Sequence, residues 1–182
     1  REEFRKKIEG LVGQIDNPPS IYLLFGDLSN KEMNELYNHP KIKAMVTLTK
    51  GEGFGRPLLE FTMTGKPVIA SNWTGHKDFL PMDKAIMIGG KLTDVDQSAI
   101  DDFIIKGSKW FTANYNEVAE VLKLVKIDYE KFLSKSETLR IENKEKFSME
   151  KMMEKFRSFI PDEAKEEPIQ KQLNLPKLNK IK

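Results

Sequence analysis

The stretch from Lys43 to Thr64 constrains the fold more than any other part of the chain. A largely apolar run, Lys43 to Leu48, feeds Thr49-Lys50-Gly51-Glu52-Gly53-Phe54-Gly55, and a helical run follows from Pro57 to Thr64. Three glycines in five positions permit positive φ and let a ligand approach the backbone closely. Proline sits near the first turn of the predicted helix and Gly65 lies just past its end, the usual punctuation of a short helix. A strand, a glycine-rich loop and a helix in immediate succession predict one half of a parallel βαβ unit, with the loop at the carboxyl end of its strand.

The rest of the chain repeats that alternation. Ile21 to Phe25, Ile42 to Leu48, Pro67 to Ala70 and Ala85 to Ile88 are short apolar runs bounded by Gly, Pro, Asp or Asn, and read as buried strands. Arg1 to Ile15 carries Phe4, Ile8, Leu11, Val12 and Ile15 at helical spacing, and Lys31 to Asn38 reads as a short helix capped by Ser29 or Asn30. The expected fold class is therefore α/β, a Rossmann-like parallel sheet flanked by helices. Asn116 to Lys126, Tyr129 to Lys146 and Met149 to Ile160, the last capped by Ser148, add C-terminal helices. Residues 1–160 read as one domain. Residues 161–182 hold three prolines and many charges with little apolar periodicity, and read as a flexible charged tail.

Composition narrows the function classes. Of 182 residues, 39% are hydrophobic and 32% charged, enough for a core under a solvated surface. The net charge of +2 gives no argument for nucleic acid as partner. The lysines between Lys171 and Lys182 could meet acidic lipid, but a solvated tail is the simpler expectation. No apolar run approaches the roughly 18 residues a membrane span needs. With no cysteine and only His39 and His76, disulfides, thiolate catalysis and histidine-rich metal sites are excluded, and no metal is expected. A cytoplasmic location fits this composition.

The loop can hold an anion and a polyol together. The first turn of the following helix points its amides and dipole toward the loop, which favours phosphate. Glu52 in the loop and Glu60 about one turn into the helix would repel phosphate but accept hydrogen bonds from hydroxyls, as acidic residues do for ribose in dinucleotide folds. Polyols beside phosphates describe a nucleotide sugar. Arg56 adjoins this cradle, where it either meets phosphate or points outward. Thr74, Gly75 and His76, in the loop after the next strand, are expected to line the cleft beside it. Asp78 reads as a cap, and Trp73 and Trp110 as packing or covering groups. His39, before Pro40, reads as an ordinary turn residue.

GEGFGRPLLEF followed by TGKPVIAS resembles the donor-binding signature of the retaining GT-B glycosyltransferases of the group 1 family, whose hallmark is Glu, seven residues, Glu. Glu52 and Glu60 match it. Leu36 to Pro40, Ala44 to Leu48, Gly65 to Ala70, Trp73 to Leu80 and Lys146-Phe147-Ser148 are also similar to the family, so the resemblance covers roughly residues 20 to 160. It implies glycosyl transfer, of hexosyl type, from a nucleotide-diphosphate sugar to a hydroxyl acceptor, with retained anomeric configuration and neither metal nor cofactor. It assigns Glu52 to the donor sugar and the reacting centre, and Gly51, Gly53, Phe54 and Gly55 to sugar and diphosphate through backbone. It assigns the amides near Leu58 and Leu59 to phosphate, and Glu60 to the ribose. The family's acceptor-binding domain precedes the donor domain. Neither that domain nor the family's basic pair on the donor domain's opening strand is found in these 182 residues. The chain is thus expected to be a donor half, inactive by itself. A non-catalytic nucleotide-binding or assembly module and an epimerase-like GT-B protein are the alternatives.

Overall fold

The computed structural model describes residues 2–161. The predicted tail, residues 161–182, lies outside the described residues apart from Pro161. The chain divides into two compact units, Arg1–Lys43 and a second beginning at Ala44.

The first unit contains α1 (Glu2–Val12) and α2 (Asn30–Asn38). Ser29 caps α2 as predicted. Its hydroxyl accepts from the Glu32 amide, and the Glu32 carboxylate accepts from the Ser29 amide at 2.8 Å, which makes a complete capping box. The predicted strand Ile21–Phe25 is not formed. Those residues take no regular structure, and all five are exposed, Tyr22 to 90%. An apolar run becomes a strand only where a neighbour completes its ladder, and no strand occurs among the described residues of this unit.

In the second unit, β1 (Met45–Thr47), β2 (Val68–Ser71) and β3 (Ile86–Ile88) form a parallel sheet in that order. α3 (Arg56–Thr62) links β1 to β2. The molecule is thus α/β, with a Rossmann-like parallel sheet flanked by helices and followed by C-terminal helices. All four residues of β2 are buried, as a central strand covered on both faces requires. On one side, Ile69 and Ile88 pack with Phe111, Ala113, Val118 and Val125. Leu58 and Phe61, on α3, are also 1% exposed, and each such burial stabilises the fold by about 1.5–3 kcal/mol.

One element departs from an all-parallel reading. β4 (Gly90–Asp94) and β5 (Lys109–Ala113) form a separate antiparallel pair. Fourteen residues separate them, so no tight-turn dipeptide advertises the pairing. Three helices follow. α4 (Tyr115–Ile127) is capped by the Asn114 side chain, α5 spans Tyr129–Lys146, and α6 (Met149–Ser158) is capped by the Ser148 hydroxyl. Among the described residues no helix is long and apolar enough to cross a membrane.

Candidate functional site

The carboxyl ends of β1 and β2 carry two loops, residues 48–55 and 72–80, and the loops are built against each other. The Ser71 hydroxyl donates to the Thr49 carbonyl at 2.9 Å. The Glu52 amide donates to the Thr74 hydroxyl at 2.7 Å, and the Gly75 amide returns to the Glu52 carbonyl at 3.1 Å. Gly75 has to be glycine, because a Cβ there would lie far inside contact distance of the Gly53 carbonyl. Thr74 reaches this geometry at φ 68°, ψ −154°, a region nearly reserved for glycine. Glu52, Gly53, Thr74 and Gly75 therefore meet, mainly through backbone.

Gly55 joins the loop to α3 in a left-handed conformation, φ 86°. A Cβ there would sit 3.0 Å from the Cβ of His76, so conformation and space both demand glycine. The Gly55 carbonyl accepts from both the Leu58 amide (2.9 Å) and the Leu59 amide (3.2 Å). This corrects the expectation that those two amides face phosphate, since α3 turns tightly enough to use them itself. The Leu58 side chain is core, 1% exposed.

Phe54, between two glycines of the loop, packs on its neighbours through its ring. The ring lies on Phe79 at 5.1 Å and on Phe147 at 5.9 Å between centroids, while the residue stays 42% exposed. His76, expected to line the cleft, is fully buried instead. Its Nε2 lies 2.6 Å from the Ser71 carbonyl, so Nε2 carries the proton and donates, and the ring supports the loop from beneath. Thr49 Oγ1, Asn72 Oδ1 and His76 Nδ1 are buried at this edge with no hydrogen-bond partner among the described residues.

Glu60 is half exposed on α3. Arg56, exposed one turn earlier, pairs with it at 3.3 Å between Nε and Oε1. Arg56 thus points along α3 to Glu60. Asp78 is not a cap. It closes the short 3-10 turn Gly75–Asp78, whose cap is Thr74. Trp73 stacks on Phe111 at 5.8 Å, nearly parallel, and the Lys50 ammonium lies 3.0 Å over the Trp110 ring. The β4–β5 pair, absent from the sequence expectation, therefore walls one side of the glycine-rich loop, and the Phe111 amide also donates to the Lys50 carbonyl at 3.3 Å. Among the described residues no group of three or more His, Cys, Asp or Glu side chains could hold a metal ion.

Sequence reasoning missed the contribution of α5. Asn143, 3% exposed, donates to Thr62 Oγ1 and to the Phe79 carbonyl, and Lys146 donates to the Asp78 carbonyl. The Lys146-Phe147 pair was visible as a motif, but its partners lie more than sixty residues away. The family model described as glycosyl transferases group 1 matches residues 2–105. No curated protein matches the chain.

Proposed function

The chain belongs to the glycosyl transferases group 1 family, and from that premise we propose that it is the donor-binding part of a retaining GT-B enzyme. The reaction is transfer of a hexosyl group from a nucleotide-diphosphate sugar to a hydroxyl acceptor, without metal or cofactor. The observation that carries this reading is the cross-bracing of Glu52. Its backbone is fixed by Thr74 and Gly75 on the neighbouring loop, at the strand edge where α/β sheets bind ligands. Positioning of that kind removes the ordering cost that a loop with three glycines otherwise imposes on binding.

Each carboxylate has a role under this reading. Glu52 accepts from hydroxyls of the transferred sugar. Glu60 accepts from the ribose. Arg56 occupies Oε1 of Glu60, and a carboxylate has about four lone-pair sites, so Oε2 stays open to the two ribose hydroxyls. The backbone of Gly51, Gly53, Phe54 and Gly55 lies against the diphosphate, and glycine lets it come close. Charge that develops on the leaving diphosphate is then met by fixed dipoles of the loop and α3, which need no reorganisation during the reaction.

The test is a calorimetric titration of the chain with uridine, guanosine and adenosine 5′-diphosphates, with Glu60→Ala as the control. One of the three should bind, and Glu60→Ala should weaken it at least tenfold, since charge-assisted hydrogen bonds contribute about 1.5–3 kcal/mol each. Equal binding to wild type and variant would remove the ribose assignment.

A further inference from the structure

Three groups at the end of α5 converge on the two site loops from outside them. Asn143 Nδ2 donates to Thr62 Oγ1 at 3.2 Å, on α3, and to the Phe79 carbonyl at 3.1 Å. Lys146 Nζ donates to the Asp78 carbonyl at 2.7 Å. The Phe147 ring closes a trio with Phe54 and Phe79, at 5.9 and 6.0 Å between centroids.

We infer that this turn is the lock on the donor cradle, with Asn143, Lys146 and Phe147 as positioning residues for Glu52 to Gly55. The inference rests on the donor-site reading above for its functional meaning, and on geometry alone for the lock itself. Two routes lead from α5 to the loop. In one, Phe147 walls Phe54, the single large side chain between Gly53 and Gly55. In the other, Lys146 and Asn143 pin the carbonyls of Asp78 and Phe79. These end the 3-10 turn whose start, Thr74 and Gly75, holds both backbone groups of Glu52. Asn143 is committed to this task, because it is buried and a buried amide group costs free energy unless it is hydrogen-bonded. The glycines on either side of Phe54 give the loop no stiffness of its own, so its shape is imposed by neighbours. All three positioning residues lie beyond residue 105, outside the residues that the family model matches.

The test is amide hydrogen exchange on the full chain without ligand, beside the nucleoside diphosphate titration. In Phe147→Ala the hydrogen-bonded amides of Glu52 and Gly75 should exchange about tenfold faster relative to those of β2, because opening becomes local to the loops. Phe147→Tyr keeps the ring and should restore the wild-type ratio. Leu139→Ala, a buried change elsewhere on α5, should lower the unfolding temperature without altering that ratio. Lys146→Met, an exposed change that leaves the core intact, should quicken Gly75 selectively. Loop and β2 amides moving by one common factor in both Phe147→Ala and Lys146→Met, or not moving at all, would overturn the lock. Where wild type binds one nucleoside diphosphate, Phe147→Ala should bind it about tenfold more weakly. Selective loosening in a chain that binds none of the three would support the lock and overturn the proposed function alone.

Discussion

The Glu52 amide donates to the Thr74 hydroxyl across 2.7 Å, and Thr74 holds that hydroxyl in place at a φ of 68°. The two facts oppose each other energetically. A non-glycine residue in this region costs about 1–3 kcal/mol. The hydrogen bond returns about 0.5–1.5 kcal/mol. Thr74→Ala keeps the strain and loses the bond, so it should be less stable than wild type by about 1 kcal/mol. Thr74→Gly loses both and should be at least as stable as wild type, while its Glu52 is less well held. Urea unfolding midpoints decide this, and equal midpoints for the two variants would show that the strain is not stored at Thr74.

Gly75 and Gly53 face each other, yet only one of them is constrained by space. Gly75→Ala drives a methyl into the Gly53 carbonyl, a backbone atom that cannot rotate away. It should cost about 1–3 kcal/mol, as overpacking does, and should part the two loops. Gly53→Ala meets nothing within 4 Å and should stay within about 0.5 kcal/mol of wild type. Thermal unfolding of the pair is the measurement. A Gly53→Ala as damaging as Gly75→Ala would contradict the described contact between the loops.

Local signals were legible in the sequence, and long-range ones were not. Ser29, Glu32 and Ser148 announced helix starts because capping acts within three residues. The Gly51 to Glu60 segment announced a strand–loop–helix turn because glycine and proline carry backbone information directly. Ile21–Phe25 misled, since a strand is a property of two segments and composition describes one. The β4–β5 pair escaped because fourteen residues separate its strands. His76 read as a loop residue lining the cleft, yet its burial against Gly55 is set by tertiary packing. Asn143 sits between Glu142 and Lys144 and looks like part of a solvated face. Only its partners, Thr62 and Phe79, show otherwise.

The capping box of α2 should give that helix an acid-sensitive start. The Ser29 hydroxyl, and then the Ser29 amide, hold the Glu32 carboxyl below its ordinary value of 4.5. A group whose folded value is depressed contributes stability that is fully present above the unfolded value. That contribution is lost as the pH falls through the folded one. The Ser29 amide resonance should therefore stay constant above about pH 5 and shift as the solution is acidified below 4.5. Glu32→Gln should abolish the shift. A transition that persists in Glu32→Gln would assign it to another carboxylate.

Arg56 and Glu60 provide the sharpest test of the site assignment, because one ion pair separates two roles. The pair is exposed, with Arg56 at 83% and Glu60 at 48%, so breaking it should cost at most about 0.5 kcal/mol of stability. Its effect on binding should be asymmetric. Glu60→Ala removes the acceptor proposed for ribose, and should weaken a nucleoside and its diphosphate by the same factor, at least tenfold. Arg56→Ala frees Oε1 of Glu60 without removing a ribose contact, and should leave nucleoside binding intact. Because Arg56 is engaged with Glu60 along α3, its loss should also change diphosphate binding by less than about threefold, the range of a screened surface charge. A large loss confined to the diphosphate in Arg56→Ala would instead move Arg56 onto the phosphates, and Glu60 would then be the residue that aims it.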